Sequence, residues 1–109
     1  MGLTKTSQFT KEQNELAEMA KALGHPARIA ILQYLSQQES CVCGSIVDEI
    51  GLAQATVSQH LKALKDVGLI QGTISGVSTC YCINAEKVNA VNGQLSALLK
   101  SCCSPFNCC

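Results

Sequence analysis

Residues 52–69 read LAQATVSQHLKALKDVGL, and their apolar spacing is that of one short helix. Val57, Leu61 and Leu64 fall on a single stripe, and Gly68 is placed to end it. Just upstream, Ser40 offers an N-cap for a third helix that runs to about Glu49 or Ile50, where Gly51 stops it. A helix, a tight Gly-containing turn and a second helix make the helix-turn-helix arrangement.

The flanking segments fit around this unit. From Phe9 to Leu23, apolar residues Leu16, Met19, Ala20 and Leu23 have helical spacing, and Gly24 ends the run. Pro26 suits the first position of a second helix, in which Ile29, Leu32 and Leu35 share a face. After the fourth helix, LIQGTISGVSTCYCIN gives two β-rich runs around Ser75-Gly76-Val77, which predicts a hairpin. The segment AEKVNAVNGQLSALLKS then aligns Val88, Val91, Leu95, Leu98 and Leu99 on a last helix. The expected fold is mainly α with one β-hairpin: a winged helix-turn-helix domain over residues 1–101, followed by a cysteine-rich tail over 102–109. A chain of 109 residues suits one domain. Small domains bury a low fraction of their surface, and pairing with a second copy is a common remedy.

The 8 basic and 8 acidic residues balance, which argues neither for nor against nucleic acid, because a neutral protein can carry a local basic face. The predicted fourth helix has such a face, with no acidic residue from Leu52 to Lys65. Its outward positions are Gln54, Thr56, Ser58, Gln59, His60 and Lys62. Gln can bond adenine in two places, and Ser or Thr can serve bases or phosphates. A hairpin tip at Ser75 and Gly76 is placed to reach the adjacent backbone or minor groove. A polar stripe alone is what any solvated helix presents; its place between a glycine turn and a hairpin points to DNA. His60 also reads as a helix-packing residue.

No apolar run approaches the roughly 18 residues of a membrane span, and the N-terminus has no hydrophobic signal region. The expected location is cytoplasmic, with no membrane partner. Thiols stay reduced there, so the 8 cysteines point to metal or redox chemistry. They come in close pairs: Cys41 and Cys43, Cys80 and Cys82, Cys102 and Cys103, Cys108 and Cys109. On a helix, residues i and i+2 point about 200° apart. A chelate at Cys41 and Cys43, where the third helix is expected to begin, would distort that start.

The stretches ALGHPARIAILQYL, CVCGSI, SQHLKALKDVGLI and CYCIN, in this order, resemble the ArsR/SmtB family of bacterial metal-responsive repressors over roughly residues 14–100. The resemblance implies a regulator rather than an enzyme. It implies a homodimer built from the first and last helices, which binds a palindromic operator and leaves it when metal binds. Leu16, Met19, Val91, Leu95 and Leu98 are the expected dimer contacts. The Cys-Val-Cys pair resembles the thiolate pair of members that sense arsenite and antimonite, or cadmium and lead. The expected inducer is As(III) or Sb(III), with Cd(II) or Pb(II), a methylated arsenical, or thiol oxidation as alternatives.

This chain departs from the fuller Cys-Val-Cys-x-x-Cys pattern, because Ile46 stands at the third cysteine's place. The first 40 residues contain no Cys. The expected completing ligands are therefore Cys102 or Cys103, and after them Cys108 or Cys109, from either chain of the dimer. Cys80 and Cys82 share one face of the hairpin by their period-2 spacing, with Tyr81 expected inward. They serve either a second ion or no ion, and stay outside the expected primary site. The last helix offers Glu86 but no His or Asp, which suits a soft, thiol-bound ion over zinc or nickel.

Overall fold

The computed structural model describes residues 8–43, 46–75 and 78–103. Their elements follow in the order α1 (Lys11–Ala22), α2 (Pro26–Ser36), β1 (Val42–Cys43), α3 (Ile46–Ile50), α4 (Gln54–Asp66), β2 (Ile70–Ser75), β3 (Ser78–Ile83) and α5 (Ala85–Cys102). This is the expected winged helix-turn-helix, with one strand added. The sheet order is β1-β3-β2 and both pairings are antiparallel, so β3 is central.

Local chemistry fixes most of the helix ends. Thr10 caps α1 through a reciprocal box: its hydroxyl accepts from the Gln13 N–H at 3.0 Å, and the Gln13 side-chain oxygen accepts from the Thr10 N–H at 3.0 Å. The helix therefore starts at Lys11, and Phe9 stays outside it. Pro26 opens α2, as expected. Gly51 and Gly68 stop α3 and α4 with φ of 78° and 85°, a region that L side chains avoid. Asn84 caps α5, its side-chain oxygen accepting from the Lys87 N–H at 3.3 Å.

The core lies where α2, α4 and the sheet meet. Ile31, Val57, Leu64 and Ile70 are fully buried at its centre, each stabilising the fold by about 1.5–3 kcal/mol relative to exposure. Leu35, Val42, Ile46, Leu61 and Leu69 surround them. Helices α1 and α5 pack together and contribute Met19 and Val91 to the same cluster.

The expected third helix starts too early. Residues Val42–Cys43 are extended, and α3 spans only Ile46–Ile50. The reason is tertiary. In β1, Val42 pairs with Tyr81, and both side chains pack on the core; a helix from Ser40 would forgo this pairing. At the other end, α5 continues through Cys102, one residue beyond the expected domain boundary, with Cys103 as its C-cap.

Gly72 stands opposite Tyr81 in β2. A Cβ added there would lie 2.8 Å from Cε1 and 3.1 Å from Cδ1 of the Tyr81 ring. The ring is held between that bare backbone and the core. Gly72→Ala is expected to lower the unfolding free energy by about 1–3 kcal/mol through overpacking, measured by urea denaturation. A loss below about 0.5 kcal/mol would show that the ring moves aside freely.

Candidate functional site

Cys43 sits on β1 and Cys41 just ahead of it, not at a helix start. In extended chain, residues i and i+2 point the same way, so the 200° separation expected for a helix does not apply. The register places Cys43 opposite Cys80 and Val42 opposite Tyr81. Cys41 faces Cys82, with a Cα–Cα distance of 4.4 Å, against 4.2 Å for Cys43 and Cys80. Both cross-strand pairs are disulfide-bonded in the structure. Val42 and Tyr81 face the core, so the four sulfurs share the opposite face of the sheet, with Cys41 and Cys43 exposed and Cys80 and Cys82 half-buried. A cleft lined by Leu35, Gln38, Glu39 and Ser40 opens onto the Cys41–Cys82 pair.

Cysteines 80 and 82, left outside the expected primary site, are thus the ones that meet Cys41 and Cys43. The signal was the matched pattern Cys-Val-Cys and Cys-Tyr-Cys, two thiols flanking one core residue in each segment. Cys102 and Cys103 are exposed free thiols at the far end of α5. That helix starts just after β3 and has 18 residues, so about 27 Å of helix separates Cys82 from Cys102 within one protomer. Cys108 and Cys109 lie outside the described residues. Among the described residues, no group of three or more His, Cys, Asp or Glu side chains is arranged to hold a metal ion in this disulfide-bonded form.

The outward face of α4 is largely as expected. Gln54, Ser58, Gln59 and Lys62 are exposed, and Thr56 is half-buried. Ala53 gives the helix no side-chain cap, which leaves first-turn N–H groups for solvent or a phosphate. Lys62 is not a free charge: its ammonium donates to the Asp66 carboxylate at 3.0 Å. Both groups are well exposed, so the pair is weak. Ser75 closes β2, and Gly76 lies outside the described residues.

His60 departs from the outward set. It is 8% exposed and turns towards α2. Its Nδ1 accepts from the Arg28 Nε–H at 3.2 Å, and its ring lies 4.4 Å from the His25 ring. Arg28 also donates to the Ala22 carbonyl at 3.3 Å, while His25 caps α2, its Nδ1 accepting from the Ala27 N–H at 3.0 Å. This polar cluster joins the end of α1, the start of α2 and the middle of α4. The packing role of His60 holds and the base-reading one does not.

The expected dimer contacts divide similarly. Met19 and Val91 are 5% exposed and belong to the protomer's own core. Leu16 and Leu95 are half-buried, and Leu98 is exposed together with Leu99. Among the described residues, no helix is long and apolar enough to cross a membrane.

Comparison with known proteins places this geometry. The profile described as "Bacterial regulatory protein, arsR family" matches residues 25–71. The HTH-type transcriptional regulator YgaV of Escherichia coli is 33% identical over 93 residues, which cover 85% of this chain and 94% of that protein. The arsenical resistance operon repressor of Staphylococcus xylosus is 32% identical over 84 residues, covering 77% of this chain and 80% of that protein. The solution structure of the homodimeric winged helix-turn-helix DNA-binding domain Mb0332 from Mycobacterium bovis superposes with a TM-score of 0.65 at 27% identity, covering 91% of this chain and 89% of that one.

The His60 contacts imply a pH dependence. Burial first, then the proximity of His25 and Arg28, push the His60 pKa below its ordinary value. The unfolded ring titrates near about 6.5. Below that pH the unfolded chain binds a proton that the folded chain refuses, so stability falls as pH drops from about 6.5 towards the folded pKa. His60→Gln keeps an acceptor for Arg28 without a titrating ring. Urea midpoints at pH 7.5 and 5.5 should differ less in this variant than in the parent; equal differences would remove His60 as the source.

Proposed function

Because this chain belongs to the arsR family of bacterial regulatory proteins, as a helix-turn-helix transcriptional regulator, we propose that it is a homodimeric repressor released from operator DNA by trivalent arsenic or antimony. The observation that carries this reading is the exposed pair of Cys41, just ahead of β1, and Cys43, on it, directly before the helix-turn-helix. Cysteine thiolates suit soft ions. The likeness to a repressor named for arsenical resistance supports the choice of arsenic. Cd(II) and Pb(II) are the alternatives for the same thiolates. A thiol-oxidation signal is a second reading, favoured by the Cys41–Cys82 and Cys43–Cys80 bonds.

In this reading α4 enters the major groove, with Gln54, Ser58 and Gln59 facing base edges and Lys62 exchanging Asp66 for a phosphate. The β2–β3 hairpin follows the adjacent backbone or minor groove. The partner copy packs on α1 and α5, where Leu98 and Leu99 are exposed and Leu16 and Leu95 are half-buried. A two-fold dimer calls for a palindromic operator. The protein works in the cytoplasm and catalyses no reaction. From sequence the completing thiolate would come from Cys102, Cys103, Cys108 or Cys109; Cys80 and Cys82 are nearer.

Fluorescence anisotropy on the protein's own promoter DNA tests both halves. Gln59→Ala is expected to weaken operator binding by about 1–3 kcal/mol; unaltered affinity would remove Gln59 from the reading face. Titration of the reduced protein–DNA complex with As(III), Sb(III), Cd(II), Pb(II) and Zn(II) ranks the inducers by the free concentration that releases DNA. Cys41→Ser and Cys43→Ser should each retain the operator complex yet need at least tenfold more As(III) to dissolve it. If As(III) releases these variants as readily as the parent, the inducer does not act through this pair.

A further inference from the structure

We propose that in the reduced chain Cys41, Cys43, Cys80 and Cys82 form one four-thiol site for a soft, thiophilic ion, so that the wing strand β3 completes the Cys41–Cys43 pair. Only the statement that this ion is the inducer rests on the function proposed above; the site itself follows from the sheet.

The register brings the thiols together. Cys43 stands opposite Cys80 in the register, with a Cα–Cα distance of 4.2 Å, and Cys41, just ahead of β1, faces Cys82 at 4.4 Å. These match the closer, non-hydrogen-bonded type of antiparallel pair, in which side chains approach most nearly. The two rungs are two residues apart along each strand, about 6.8 Å, and the alternation of side chains puts both on one face. Rotation about each Cα–Cβ bond can swing the sulfurs of the two rungs towards one another. The placement does not require sulfur–sulfur bonds. Between the rungs, Val42 and Tyr81 pair across the strands and pack on the core, so the four thiols stay neighbours when the disulfides are opened. Cys41 and Cys43 are exposed, and the cleft beside Glu39 and Ser40 gives an ion a way in at the Cys41–Cys82 end. Within one protomer, the 18 residues of α5 run from just after β3 to Cys102, about 27 Å of helix.

The site joins the two elements expected on DNA. Strand β1 leads into α3 and, past Gly51, into α4; β3 pairs with β2 to form the wing. An ion held by thiolates from both strands couples the reading helix to the wing, so a change in the sulfur spacing shifts their relative placement. This is the differential contact between two states that ligand-controlled affinity requires.

The chemistry balances. A phosphine takes up the oxygen of one water as each disulfide opens to two thiols, giving the phosphine oxide. Arsenous acid then reacts with three thiols, whose protons leave with its three hydroxyls as three waters, forming three As–S bonds with arsenic remaining trivalent. Cadmium takes four thiolates and displaces four protons.

The test uses the full-length protein reduced with a water-soluble phosphine under anaerobic conditions, without DNA. Arsenite is added, free thiols are alkylated, and mass spectrometry reads which cysteines are protected. Cys41, Cys43 and at least one of Cys80 and Cys82 should be protected, with Cys102, Cys103, Cys108 and Cys109 alkylated. X-ray absorption should show three As–S bonds in the parent and in a variant with all four tail cysteines changed to Ser, but two in Cys80→Ser/Cys82→Ser. With Cd(II) the parent should show four Cd–S bonds. Tail cysteines protected while Cys80 and Cys82 are alkylated, or a third As–S bond missing from the tail variant alone, would overturn the site and leave the proposed repressor intact. The converse, an ion bound at the four sheet thiols that fails to release operator DNA, would sustain the site and overturn its role as inducer site. If the double variant does not fold by circular dichroism, the alkylation pattern of the parent decides.

Discussion

The pairing of Val42 with Tyr81 is the contact on which the functional half of the molecule depends. A strand of two residues has no stability of its own. It is held because Val42 and Tyr81 both cover the core, and because Gly72 leaves room for the tyrosine ring. That pairing sets the direction in which the chain enters α3, and through it α4. It turns β3 from the edge of a hairpin into the centre of a sheet. It also decides which way the neighbouring thiols face, since side chains flanking an inward residue on a strand must point outward.

A second constraint fixes α4 from behind. Val57, His60, Leu61 and Leu64 are its buried residues, and three of them are ordinary hydrophobes. His60 is polar, and its burial is tolerable because Nδ1 has a donor in Arg28. Arg28 in turn reaches the Ala22 carbonyl at the end of α1. The rotation of α4 about its axis, and so which of its polar residues faces outward, is tied to the start of α2 by this cluster. Gln54, Ser58, Gln59 and Lys62 are outward partly because His60 is inward.

The helices were legible because their apolar stripes and glycine stops are local signals. Gly51 and Gly68 adopt the left-handed conformations that their positions suggested. Strand β1 was not legible by the same means. Cys-Val-Cys is too short to show a period, and a serine ahead of it resembles a helix cap. What makes it a strand lies about forty residues downstream. His60 was ambiguous for a similar reason: its spacing from Val57 and Leu64 places it on the inner stripe, but the arginine that satisfies it sits on another helix. For the thiols, the resemblance to a Cys-Val-Cys-x-x-Cys pattern, with Ile46 at its third cysteine's place, implied that the Cys41–Cys43 pair lacked a partner. The choice between tail and hairpin depended on strand register, which no local pattern reports.

The same register gives the four sheet cysteines two mutually exclusive chemistries. A sulfur in a disulfide is not a thiolate ligand, so oxidation and ion capture compete for the same atoms. The Cys41–Cys82 bond spans a sequence separation of 41, and closing such a loop in the unfolded chain stabilises the fold by about 4 kcal/mol. The Cys43–Cys80 bond adds less, because with the outer bond in place it closes only a short further loop. In the oxidised chain, then, β1 is fastened to the wing strand whatever ions are present. In the reduced chain only the Val42–Tyr81 rung and the backbone pairing hold it, and an ion that engages both strands has a weak junction to reinforce or distort. A junction of this kind can respond to an ion only where its thiols are kept reduced, which is the condition of a reducing compartment. Val42 and Tyr81 are what allow it to return to the same place each time the sulfurs are released.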